Sequence, residues 1–144
     1  MPKSFESKVA VLNALGTGKL LKDLEAEERK LNELLTEDAV YRNENRTYLA
    51  SGDSDCREVK SILAELAMDP PVSQDGKKLT VAEKEAWLQQ QRTAHPPLIE
   101  AIQHQNRVAF QIETDRIAIE SSKRRYDSLK AVLALRTAQI EFLT

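Results

Sequence analysis

Apolar side chains recur three and four residues apart over two long stretches of this chain, the spacing of one face of an α-helix. In the first, Leu20, Leu24, Glu27, Leu31, Leu34, Asp38, Tyr41, Asn45 and Tyr48 follow one another, six of the nine apolar. Leu21, Leu35 and Leu49 widen this stripe beyond a bare two-stranded seam. In the second, Ile119, Ser122, Tyr126, Leu129, Leu133, Arg136, Ile140 and Leu143 repeat with six apolar positions in eight. Leu98, Ile102, Ala109, Ile112 and Ile119 begin the same run on a face of the same kind.

The breakers separate these stretches. Glycines fall at 16, 18, 52 and 76, and prolines at 2, 70, 71, 96 and 97. A short apolar-periodic piece at 4–15 (Phe5, Val9, Leu12, Leu15) stops at Gly16-Thr17-Gly18, and 19–50 contain neither Gly nor Pro. The turn at 51–55 offers Asp53, Ser54 or Asp55 as a cap for a helix over 56–68, which must end before Pro70-Pro71. A loop follows at 69–79. Thr80 with Glu83 forms a capping box that starts a helix to about Thr93. Pro96-Pro97 suit the first turn of a final helix over 98–144.

A 47-residue helix spans about 70 Å, whereas a globule of this chain length has a radius of gyration of about 15 Å. The expectation is therefore an all-α fold, a single helical domain over 1–144. Two long helices, 19–50 and 98–144, would form an elongated, coiled-coil-like hairpin or open bundle, with 56–93 as a small helical elaboration at one end. Uncovered flanks of the wide stripes point to self-association. Ile119, Tyr126, Leu129, Leu133, Ile140 and Leu143 are the expected oligomerisation residues.

Composition agrees with helix. Only 5% of residues are aromatic, which disfavours a sheet-built core. A single cysteine, Cys56, cannot form an internal disulfide. The N-terminal stretch lacks the continuous apolar core of a signal peptide, and no run is apolar enough to span a bilayer. A soluble, cytoplasmic protein without membrane contact is expected.

The net charge of −2 hides an uneven distribution. Residues 53–69 hold five acids and two bases. From Arg116 to Arg136, six bases (Arg116, Lys123, Arg124, Arg125, Lys130, Arg136) stand against Glu120 and Asp127, a local +4. Arg116, Lys123 and Lys130 repeat every seven residues beside the apolar seam, and Arg92 and Arg107 would extend a basic surface if placed nearby. One reading is a strip that tracks the phosphates of a single strand. The other is flank charge pairing with acids such as Asp23, Glu37 and Glu44 on a neighbouring helix.

Chemistry beyond this is sparse. Gly16-Thr17-Gly18-Lys19 resembles the end of a phosphate-binding loop, but Asn13 and Leu20 stand where Gly and Ser or Thr are required. His95 and His104 have no second cysteine or carboxylate cluster to complete a metal shell. Cys56 has no histidine close in sequence. Neither an enzyme nor a bound cofactor is expected.

The run from Gly76 (Gly-Lys-Lys-Leu-Thr-Val-Ala-Glu-Lys-Glu-Ala) leads through a polar helix to a long one. That helix ends Tyr126-Asp-Ser-Leu-Lys-Ala-Val-Leu-Ala-Leu-Arg-Thr-Ala-Gln-Ile-Glu-Phe-Leu143. Over about the last seventy residues, this arrangement resembles the UvsY-like recombination mediator family of phages, short helical proteins that load a recombinase onto single-stranded DNA. The resemblance implies a closed oligomer, a C-terminal helix used in assembly, and basic residues facing DNA. By position, Lys123, Arg124, Arg125, Lys130 and Arg136 would fill that last role. The expected function is a non-enzymatic homo-oligomer that binds single-stranded DNA and assists recombinase loading, with a recombinase or single-strand-binding protein as partner. The alternative is a coiled-coil adaptor or virion-structural assembly protein that binds no nucleic acid.

Overall fold

The computed structural model describes Ser7, Ala10 and residues 16–143, with the side chain of Leu143 excepted. The expected helix at 4–15 lies largely outside the described residues. Among them the elements are α1 (Thr17–Glu44), a short 3-10 helix (Arg46–Tyr48), α2 (Arg57–Met68), α3 (Val81–Ala94) and α4 (Pro96–Leu143), with no strand. The all-α expectation is met. The chain divides into two compact units: Val40–Thr114, and Met1–Ala39 together with Asp115–Thr144.

Unit Val40–Thr114 holds the clearest core. Val59, Ile62, Leu63 and Leu66 recur on one face of α2 and meet Leu98, Ala101 and Ile102 of α4, with Tyr48 packed against them. Val59 and Leu98 are wholly buried. Polar bonds close this unit. The Cys56 N–H at the start of α2 donates to Gln105 Oε1 at 2.6 Å, and the Gln105 amide donates to Asp55 Oδ1 at 3.4 Å. Arg92, in the last turn of α3, pairs with both oxygens of Asp55. The residue capping α2 is Cys56, whose side chain makes no capping bond. None of Asp53, Ser54 and Asp55 serves as the expected cap. Asp55 is drawn instead to the Arg92 guanidinium, and Gln105 satisfies the orphan N–H.

Two local signals are realised as the sequence predicts. Thr80 Oγ1 accepts from the Glu83 N–H at 3.2 Å and donates to the Glu83 carboxylate at 3.0 Å, so Thr80 caps the start of α3 with Glu83 held on its hydroxyl. Pro96 and Pro97 lie in the first turn of α4. The first long helix ends sooner than the breakers imply, at Glu44. Asn45 turns its amide Nδ2 onto the Tyr41 carbonyl at 3.0 Å while Oδ1 engages His104 at 3.0 Å. The Asn45 backbone N–H donates to the same Tyr41 carbonyl at 3.0 Å, so the helix closes on Asn45 without Gly or Pro.

The second unit, described by itself, pairs α1 with the C-terminal part of α4. The predicted seams are its covered faces: Leu20, Leu24, Leu31 and Leu34 are half-buried on α1, and Ile119 and Ser122 are buried on α4. Glu27 and Ser122, both polar breaks in their stripes, meet across this seam, the Ser122 hydroxyl donating to Glu27 Oε1 at 2.7 Å.

Candidate nucleic-acid interface

The basic stretch of α4 is unbroken helix, so each cation's direction follows from its position in the repeat. Arg116, Lys123 and Lys130 share one exposed line beside the seam. Their environments differ. Arg116 donates to Glu120 Oε1 at 2.7 Å, an i,i+4 pair within the helix. Arg125 reaches across to Glu27 Oε1 at 3.1 Å. Lys130 Nζ stands 5.0 Å from the centre of the Tyr126 ring. Arg136 is half-buried on the seam. Lys123 and Arg124 are exposed, and neither has an ion-pair partner among the described residues. Arg124 and Arg125 also flank an open groove walled by Asp23, Glu27, Ser128 and Leu129.

The sequence treats the six bases as one set, and the fold divides them. Glu27 draws Arg125 out of the solvent-facing group. Its carboxylate lies below the ordinary glutamate value because the Ser122 hydroxyl bonds it; burial opposes this shift, and Arg125 adds to it. Arg125 of α4 thus pairs with Glu27, inside the stripe, rather than with Asp23, Glu37 or Glu44 on its flank. Arg92 does not extend the basic surface, being committed to Asp55. That contact, before the opposing effect of burial and the smaller help of Gln105, holds the Asp55 carboxyl below the ordinary aspartate value. Arg107 lies near His104, its Nη2 3.4 Å from Nδ1.

The expected oligomerisation residues lie on the covered side of α4. Ile119 is buried, and Tyr126, Leu129, Leu133 and Ile140 are half-buried on the face that carries Ser122, the residue that meets Glu27 of α1. The Leu143 side chain lies outside the described residues. Uncovered apolar side chains stand elsewhere: Leu21 and Leu35 on the flank of α1, and Ile117, Leu135 and Phe142 on a second face of α4. Phe142 is 91% exposed. The second face was readable, since 117, 135 and 142 differ by eighteen residues, five helical turns, and by seven, close to two; the stronger seam masked it.

The remaining candidates have structural partners. Gly16, at a φ of 70°, precedes α1, and the residues that would lead into a phosphate-binding loop there lie outside the described residues. Cys56 is buried in the core cluster. His104 packs edge-on against Tyr48 with ring centres 4.1 Å apart; with Arg107 donating to Nδ1, its Nε2–H donates to Asn45 Oδ1. Among the described residues, no helix is long and apolar enough to cross a membrane. No protein-family model, curated protein or solved structure matches the chain.

Proposed function

We propose that this chain is a non-enzymatic, cytoplasmic helical protein that binds single-stranded DNA through α4 and, as a homo-oligomer, assists the loading of a recombinase. The observation that carries the reading is the pair Lys123 and Arg124. Both are solvent-facing, without ion-pair partners among the described residues, in a stretch of net charge +4. Lys130 lies one heptad beyond Lys123 and continues the line. Cations of this kind capture phosphates without reading bases, and binding releases counterions. The exposed apolar residues Ile117, Leu135 and Phe142 favour self-association, which would multiply a modest strip into an avid surface.

The test is fluorescence anisotropy with a labelled single strand, with the oligomeric mass taken from light scattering on the same sample. The double variant Lys123→Ala/Arg124→Ala is expected to bind on the order of tenfold more weakly with unchanged mass. Arg125 is left intact in this variant because removing it would strip Glu27 of a partner. A second reading is favoured by the Arg125–Glu27 pair, in which a base of the strip already serves helix pairing: a coiled-coil adaptor or virion-structural component. That reading predicts no strand binding, and a change of oligomeric mass when the bases are removed.

A further inference from the structure

Resting on the single-strand reading, we propose that unit Val40–Thr114 carries a base-stacking cleft, distinct from the cation strip, that takes a nucleobase of the bound strand. The cleft has a volume of about 520 Å³ and is lined by Tyr41 of α1 and by His104, Asn106, Arg107, Phe110 and Gln111 of α4. Phe110 is 75% exposed and takes no part in the core, so its ring presents a face to whatever enters. Tyr41 and His104 add aromatic surface. No carboxylate lines the cleft, and Arg107 supplies a cation near His104 Nδ1. Aromatic faces joined to a cation and carboxamides form the combination that holds an unpaired base and its phosphate. A neighbouring cleft that shares His104 and Arg107 is lined by Glu58 and Glu100 and repels phosphate, which places the base on the Phe110 side.

Stacking needs a base, whereas phosphate capture does not. A labelled oligothymidylate and an abasic strand of equal length therefore separate the cleft from the strip. The wild-type protein is expected to bind oligothymidylate about tenfold more tightly than the abasic strand. Phe110→Ala is expected to abolish that preference while leaving abasic binding unchanged, and Phe110→Trp to restore it. The residue is exposed, so neither substitution removes core packing. Equal binding of both strands by the wild type overturns the cleft, as does a preference that survives Phe110→Ala. If both strands bind equally and Lys123→Ala/Arg124→Ala weakens both, the single-strand reading stands and the cleft alone falls. If neither strand binds, both fall.

Discussion

The two units bury their contacts in opposite ways. Val40–Thr114 concentrates its stability in a few unique residues: Val59 and Leu98 are fully enclosed, and the Asp55–Arg92 and Cys56–Gln105 bonds join positions 37 and 49 residues apart. The unit built from α1 and the end of α4 spreads its contacts along a repeat of half-buried side chains, fastened by the Glu27–Ser122 bond. A unique knot fails when one member is lost, whereas a distributed seam loses a little at each position. The seam also leaves the far faces of its helices in solvent, where Lys123 and Arg124 are free of structural duty. The unit with less core therefore carries the proposed phosphate strip.

Substitutions rank this contrast. Leu98→Ala should have the largest effect, about 3 kcal/mol lost from the cavity it leaves, read as a lower urea midpoint. Next is Gln105→Leu, which strands the Cys56 N–H and removes a donor from Asp55, at about 2 kcal/mol. An equal loss for Leu129→Ala, a half-buried residue of the seam, would erase the distinction between the units. Ser122→Ala takes the donor from Glu27 but leaves Arg125 beside it, and should cost about 1 kcal/mol by the same measurement. Lys123→Ala/Arg124→Ala should change stability by less than about 0.5 kcal/mol, as expected for exposed sites outside any network.

Acid probes both units together. Asp55 and Glu27 have carboxyls below their ordinary values in the folded chain, so folding favours their charged forms. Their contribution is fully present above the ordinary carboxylate range and is lost as pH falls through the depressed values. Stability followed by urea titration should therefore drop on acidification from neutrality. Asp55→Asn and Ser122→Ala should each flatten part of that drop.

Local features of this fold were legible in the chain. The three-and-four spacing located the two long helices, and turn, cap and proline signals the two short ones; the nine residues from Leu20 to Tyr48 that the spacing put on one face are all partly covered. The Thr80–Glu83 cap and the prolines of α4 needed only neighbours in sequence. No Gly or Pro announced the end of α1 at Glu44, and the contact of Asn45 with His104 is made across 59 residues. The same limit applied to the site. Six cations on one helix were visible, but the loss of Arg125 to Glu27 depends on a contact across 98 residues. Phe110 carries no signal in the sequence, because Tyr41, which lines the cleft with it, arrives from another helix.

The most direct test is the salt dependence of single-strand binding, measured for the wild type and for Lys123→Ala/Arg124→Ala from about 50 to 200 mM salt. The wild type should bind at the low end and weaken linearly in log–log form. The double variant should lose about 1.4 from the slope, about 0.7 for each phosphate contact removed. A slope that both proteins share, or no binding by the wild type at the lowest salt, would contradict the assignment of α4 as the strand-binding surface.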